Sequence, residues 1–459
     1  MNRKPNIVYV FSDQQRYSAL GCNGNKVVRT PNIDRIAQEG MAFDNAFSAC
    51  PICSPYRAQI LTGLYAHQNG VVCNEYKMRT DITTLPLELK KAGYRSAYIG
   101  KWHLGYGPYT EDKRYGFDYM AANNCNHDYY DCQYYINEEG PITKEGWEGT
   151  ETTNYAIQFL KSHCKAYPDT PFMMMMSWTP PHWPYNRYPQ EFNTYLPDEV
   201  DLSPNVPEQM ADFACKEIAQ YYGSCTALDA EFGRLMDALE KLGIVDNTIV
   251  CFTSDHGDHL SSHGYGKPSD YWMHHTMRGS KATPYEESIH VPFLIKWPGK
   301  IKPGQRNNVL FNSVDVMPTL LSLCGLTIPG EIFGKDLSGA ALGGKCETPD
   351  SVYLQILGPG WPHRGKWLGY WRGVRTDRWV YARWWKDEVE PKLFDRLNDP
   401  YEMDNLYGKP EYAQIQEMME KRLEQWMEYT NDPFDTGERD PKTGMLLLGQ
   451  KFSDDKWNK

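Results

Sequence analysis

The sequence predicts an α/β protein, with a large, mostly parallel central sheet flanked by helices and a small C-terminal α+β subdomain. Short apolar strands alternate with helical stretches through residues 1–350, the pattern that builds parallel sheets. Residues 351–459 change character to closely spaced alternating strands, one helix and a polar tail. At 459 residues the chain is also long enough for a large domain with an appendage.

The strand candidates in order are Ile7–Phe11, Arg95–Ile99, Phe172–Ser177, Ile249–Thr253 and Pro292–Lys296. Each is a short apolar run of the length a buried strand needs. The four methionines at 173–176 belong to such a strand rather than to a metal or cofactor feature. Helices are expected over Leu85–Ala92 and from Glu208 to Leu242. Gly93 and Gly243 follow them, where a helix end favours a left-handed residue. The C-terminal part offers strands at Ser351–Leu357, Trp371–Arg375 and Trp379–Trp384, then a helix near Tyr412–Tyr429.

Composition narrows the function classes. Charged and apolar fractions of 23% and 41% are those of a soluble globular protein. With 48 basic against 59 acidic residues the net charge is −11, which argues against a nucleic-acid groove. It leaves room for an anionic small substrate, because a local cluster of Lys, Arg and metal overrides the global sign. No run approaches the roughly 18 apolar residues that span a bilayer, so no membrane partner is expected. The 12 cysteines are scattered, and several lie inside apolar runs, which fits reduced thiols. With no signal-peptide pattern ahead of the first strand, the expectation is a cytoplasmic protein, or a periplasmic or secreted one if a signal has been removed.

The polar residues sit where α/β chemistry is done. Asp13 follows the first strand; Lys101 and His103 follow the strand ending at Gly100; His182 follows Phe172–Trp178; Asp255 and His256 follow Ile249–Thr253. In open α/β sheets ligands bind at the carboxyl ends of strands, so separate segments deliver these groups to one edge. Cys53-Ser54-Pro55-Tyr56-Arg57 adds a thiol at a helix start, with Pro55 as the first helical residue. An anion is favoured there, and a thiolate would be reactive.

Cys53-x-Pro55-x-Arg57 followed by Leu61-Thr62-Gly63 resembles the signature of the sulfatase family, in which the cysteine is oxidised after translation to formylglycine. Ser12-Asp13-Gln14, Gly100-Lys101-Trp102-His103, Pro180-Pro181-His182, Ser254-Asp255-His256-Gly257, and Lys281 with Tyr285-Glu286-Glu287 follow that family's order. Leu393-Phe394-Asp395, Asp399-Pro400 and Asn405-Leu406 resemble its closing subdomain.

The resemblance implies an alkaline-phosphatase-like fold and sulfate-ester hydrolysis, with a sulfated carbohydrate as substrate. It implies a formylglycine-generating maturation enzyme as a partner. The hydrated aldehyde at position 53 would supply one hydroxyl to attack sulfur and a second to expel the bound sulfate. Arg57 would hold a formylglycine oxygen and His103 would be the base for expulsion. Lys101, His182 and Lys281 would clamp sulfate oxygens, with His182 assisting the leaving alcohol. The metal ligands would be Asp13, Gln14, Asp255, His256 and an oxygen of modified Cys53. Calcium is expected from the carboxylate and amide donors. Gln14 and His256 replace the Asp and Asn more usual in relatives, and imidazole keeps Mn²⁺ and Zn²⁺ as alternatives. Tyr56 replaces a smaller residue, and processing is expected to survive it.

Two rivals remain: a formylglycine-dependent phosphonate monoester or phosphodiester hydrolase, and a silent binding protein whose Cys53 is unprocessed. Cys50-Pro51-Ile52-Cys53 also reads as a redox or zinc pair, but no second pair at zinc spacing accompanies it. The stretch Gly266–Ser280, with Trp272, His274, His275 and Arg278, is either a substrate-selecting loop or a solvated insertion. Its Lys267 rivals Lys281, which alone has the right spacing to Tyr285-Glu286-Glu287. Trp361, His363, Arg364, Trp367 and Trp371 suit either an acidic sugar or the glue between domains, with His363 and Arg364 the substrate-binding candidates. His67, His127, His163, His259, His263 and His290 are expected to be structural.

Overall fold

The structure is a computed structural model that describes residues 3–265, 280–358, 370–385, 389–439 and 446–449. Ten strands form the main sheet: β1 (Asn6–Asp13), β2 (Met41–Phe47), β3 (Arg95–Lys101), β4 (Tyr119–Asn123), β5 (Cys132–Ile136), β6 (Glu139–Lys144), β7 (Phe172–Pro181), β8 (Thr248–Ser254), β9 (Phe293–Lys296) and β10 (Gln305–Asn312). Their spatial order is β10-β2-β9-β8-β1-β7-β3-β4-β5-β6. The central run β8-β1-β7-β3-β4 is wholly parallel, whereas β9 lies antiparallel between β2 and β8.

The sheet is buried on both faces because its central strands are apolar on both. Along β1, Ile7, Tyr9 and Phe11 point into one core while Val8 and Val10 point into the other. The methionines of β7 divide in the same way, Met173 and Met175 against Met174 and Met176, all fully buried. This is the period-2 alternation of a strand with apolar partners on either side. Helices Cys53–Thr62, Leu85–Lys91 and Val316–Leu323 cover the first face. Helices Pro31–Glu39, Glu148–Ala166 and Ala211–Lys241 cover the second.

Gly93 and Gly243 follow their helices at φ +86° and +67°. The expected Glu208–Leu242 helix opens with a 3₁₀ turn, Glu208–Met210, before the α-helix starts at Ala211. The helix expected to begin at Pro55 begins at Cys53, which puts Pro55 at its third position, still inside the first turn where the missing N–H is harmless.

A second, antiparallel sheet follows: β11 (Val352–Ile356), β12 (Trp371–Arg375), β13 (Trp379–Trp384) and β14 (Lys392–Asp395). Met419, Leu423 and Met427 of the helix Ala413–Thr430 pack against Tyr353, Val374, Tyr381 and Leu393 of this sheet. Trp371 is fully buried, and its indole N–H donates to the carbonyl of Ala282 at 3.0 Å, so it joins the two parts. All 12 cysteines are free thiols. Among the described residues no helix is long and apolar enough to cross a membrane.

Candidate active site

The carboxyl ends of β1, β3, β7 and β8 converge, as parallel neighbours must, on the N-terminus of the helix Cys53–Thr62. Cys53 is buried at its first turn. Its Sγ lies 3.7 Å from Asp13 Oδ1, 3.4 Å from His256 Nε2 and 3.5 Å from Lys281 Nζ. Burial and Asp13 push this thiol up, but Lys101, Lys281 and His256 outweigh them and bring it down to about 6. Position 53 is therefore built to hold negative charge.

Two buried carboxylates face each other here, and the cations around them answer the charge. Arg57, one helical turn after Cys53, places Nη2 3.3 Å from Asp13 Oδ2 and 3.3 Å from Asp255 Oδ2. Its Nη1 donates to the Tyr98 hydroxyl, the Lys101 carbonyl and the Ser177 hydroxyl at 2.9, 2.6 and 2.7 Å. Nε has no partner. The Lys101 ammonium pairs with Asp13. Burial alone would raise the Asp13 carboxyl, yet the Lys101 and Lys281 ammonium groups hold it well below the usual range. Burial and the Asp13 charge push Asp255 up to about 6. Like charges so close leave one carboxylate under strain that a divalent cation would relieve.

The donor set fits such a cation. Ligand atoms of Asp13, Cys53, Asp255 and His256 all lie within 4.8 Å of one another. His256 Nδ1 lies 3.0 Å from the Gly257 carbonyl, a contact that requires Nδ1–H and leaves the Nε2 lone pair facing the centre. Gln14, at φ +69°, donates Nε2–H to Asp258 Oδ2 at 2.7 Å, which turns its Oε1 inward to accept from Lys281 at 2.9 Å. Asp258 also accepts from the Tyr185 hydroxyl. Sequence reasoning missed Asp258, although its place three residues after Asp255 was a signal.

His103 and His182 stand at the edges of this cluster. Burial, then Lys101 and Arg57, keep the His103 imidazole neutral, and its Nδ1 has no partner among the described residues. The His103 carbonyl accepts from the Ser54 hydroxyl at 2.6 Å, tying the loop to the helix that carries Cys53. His182 is neutral through burial and Lys281, with Nδ1 2.6 Å from the Trp183 carbonyl. His127, expected to be structural, stacks on His182 with ring centroids 4.4 Å apart. The contact joins the β4–β5 loop to a residue after β7, a tertiary pairing with no local pattern. His263 is stacked on Tyr285 with ring centroids 4.0 Å apart.

His363 and Arg364 lie outside the described residues, as do Trp361, Trp367, Lys267, Trp272, His274, His275 and Arg278. A second group, His263, Glu287 and Glu402, also brings ligand-type atoms together. Arg16 lies 3.8 Å from Glu287, and Arg396 lies 3.9 Å from Glu402 and 3.3 Å from Glu286. With these arginines the group forms an ionic junction between the two parts of the chain.

A Sulfatase family model matches residues 5–326, and one for the C-terminal region of N-sulphoglucosamine sulphohydrolase matches residues 279–429. The chain belongs to the sulfatase family. It is a sulfuric ester hydrolase of a family that depends on a metal and on formylglycine. An ulvan-active sulfatase of Formosa agariphila is 35% identical, over 94% of this chain and 82% of its own. An endo-4-O-sulfatase of Bacteroides thetaiotaomicron is 31% identical, over 94% and 93%. A solved structure of a protein in complex with its substrate D-glucosamine-2-N,6-O-disulfate superposes with a TM-score of 0.80 at 26% identity, covering 95% of this sulfatase and 100% of the other chain. The ten-stranded sheet with its four-stranded C-terminal partner is the alkaline-phosphatase-like architecture of these relatives.

Proposed function

We propose that this sulfatase hydrolyses a sulfate monoester on a carbohydrate, with formylglycine made from Cys53 as its nucleophile. The observation that carries this reading is position 53 itself, at a helix N-terminus and ringed by Lys101, Lys281 and His256. The hydrated aldehyde supplies two hydroxyls, one to attack sulfur and one to expel the sulfate afterwards. Asp13, Gln14, Asp255, His256 and the side chain at 53 would hold the metal, which when bound would supply a positive charge favouring the deprotonated nucleophile. Calcium is the ion we assign, with Mn²⁺ or Zn²⁺ the alternatives because His256 brings an imidazole.

The chain's own groups do the rest. Arg57 cancels the ligand carboxylates and keeps Nε for an oxygen at position 53. Lys101, Lys281 and His182 receive the sulfate oxygens. His103, neutral and with a free Nδ1, takes the proton that lets the second hydroxyl expel sulfate. His182 gains its proton in the field of the anionic ester and gives it to the leaving alcohol from Nε2, since its Nδ1 is tied to the Trp183 carbonyl. We place the catalytic domain in residues 1–350 and the closing subdomain in 351–459, supported by the second sheet starting at Val352. A maturation enzyme that reads Cys53–Arg57 is the partner this chemistry requires. His363 and Arg364 remain our substrate-binding candidates.

A sulfate-release assay on a panel of sulfated hexosamines and uronic acids, beside 4-nitrophenyl sulfate and a phosphodiester, tests the reading. Fastest turnover on one sulfated sugar supports it. Fastest turnover on the phosphodiester would replace it with the phosphonate and phosphodiester reading.

A further inference from the structure

The loop between β4 and β5 carries an imidazole that the sulfate chemistry does not use. His127 lies in it, its ring 4.4 Å from that of His182 with 25° between the planes. The loop is held firmly. The Tyr129 hydroxyl donates to the His182 carbonyl, and the Tyr129 carbonyl accepts from the Glu148 N–H at 2.8 Å. The Asp128 carbonyl accepts from Arg187 Nε at 3.0 Å, and Asn126 Oδ1 from the Asp128 N–H at 2.9 Å. His127 is thus presented on a fixed support, as a recognition group must be.

Its ring nitrogens differ. Nε2 lies 3.3 Å from Cys125 Sγ, while Nδ1 has no partner among the described residues, and the side chain is open to solvent beyond its stacked face. Its surroundings in the loop, and then Lys101, push the imidazole below its ordinary value, so it is neutral. The stack on His182 places the ring beside the pocket, with its other side exposed. A neutral imidazole is a weak clamp for an anion. It is a good partner for a hydroxyl, which can donate to it or accept from it.

We propose that His127 is a substrate-binding residue that hydrogen-bonds a ring hydroxyl of the sulfated sugar, next to the carbon that carries the ester. The assignment rests on the carbohydrate sulfatase reading and on His182 facing the leaving alcohol. A ring stacked on His182 necessarily borders the leaving-group side, where the sugar and not the sulfate must lie. The neutral ring also supports His182 when that imidazole becomes cationic, since an aromatic face attracts a cation.

The test compares wild type, His127→Phe and His127→Gln, all with formylglycine confirmed at position 53. Phe keeps the stacked face and loses the hydrogen bond; Gln keeps a hydrogen-bonding group. The substrates are 4-nitrophenyl sulfate, the sulfated hexosamine that wild type cleaves fastest, and that sugar's analogue lacking the neighbouring hydroxyl. His127→Phe is expected to lose about tenfold in kcat/KM on the sugar, what one neutral hydrogen bond contributes, and under about threefold on the aryl ester. His127→Gln should recover part of the loss. Wild type should lose about tenfold on the deoxy analogue, and His127→Phe should lose little further, because the two changes remove one contact. Equal losses on sugar and aryl ester, or additive losses on the deoxy analogue, overturn the proposal and leave the sulfatase reading standing. A wild type that cleaves the aryl ester and none of the sugars overturns the proposal and the carbohydrate assignment together. One that releases no sulfate at all overturns the sulfatase reading beneath both.

Discussion

Replacing Arg57 by Met removes the one guanidinium that touches both ligand carboxylates while keeping most of the side-chain volume. Nη2 sits 3.3 Å from Asp13 and 3.3 Å from Asp255, and all three side chains are within 1% of complete burial. Removing one partner of such a buried ion pair strands its charge and destabilises by about 3–5 kcal/mol. In a chain of this length that corresponds to a fall in Tm of about 3–5 °C. Metal changes the figure, because a divalent cation bound by the same carboxylates supplies the missing charge. Acid changes it too. Asp255 has its folded pKa raised to about 6, so its ionised form is the unfavourable one, and the penalty is full above that pH and eases below it as the carboxyl protonates. Thermal unfolding followed by circular dichroism, with EDTA or saturating calcium, at pH 5 and pH 8, reads all of this. The full fall is expected in EDTA at pH 8, and roughly half of it or less with calcium or at pH 5. The same fall in every condition would refute the reasoning and make Arg57 a packing residue.

The remaining expectations follow from the same geometry. Asp258→Ala frees the Gln14 amide to turn away, which should weaken divalent-metal affinity by about 10–100-fold in calorimetric titration; an unchanged Kd would show that Gln14 is not a ligand. In unconverted, metal-free protein, thiolate absorbance near 240 nm that is lost in Cys53→Ser should titrate in near pH 6, not 9, and move up in Lys281→Ala. In the C-terminal part, burial would raise the Asp432 carboxyl, but Arg372, with bonds of 2.7 and 2.9 Å, and His67 bring it down to about 2. A depressed carboxylate contributes stability above its unfolded pKa and loses it as pH falls through the folded one. Urea unfolding between pH 4 and pH 2 should therefore lose about 2 kcal/mol from this group, a slope absent in Asp432→Asn.

How far the sequence could be read depended on whether a signal was local. The central strands were legible because β1 and β7 are buried on both faces and so read as continuous apolar runs. β2, with Asp44 and Asn45 in its middle, did not, and neither did the short, partly exposed β5 and β6. That β9 runs antiparallel is a matter of connection, which no residue pattern encodes. The nucleophile segment and the residues at strand ends stood out because motif and position agreed. What stayed hidden is tertiary. Asp258 earns its place through Gln14 and Tyr185, and His127 through a ring on another strand's end. Arg57, expected to hold an oxygen at position 53, also bridges Asp13 and Asp255, residues 44 and 198 positions away. Trp371 could be read as sugar platform or as glue, and its buried bond to Ala282 makes it glue.

The most direct test of the central claim is intact and peptide mass spectrometry across Cys53, on protein co-produced with a formylglycine-generating enzyme, beside a chromogenic aryl sulfate assay. Conversion to formylglycine lowers the mass by roughly 18 Da, and a hydroxyl of the hydrated aldehyde is what attacks. The expected result is that mass change at position 53 together with sulfate release, both lost in Cys53→Ala. A thiol left unconverted by a maturase that processes a control substrate, or conversion with no sulfate released, would contradict the account.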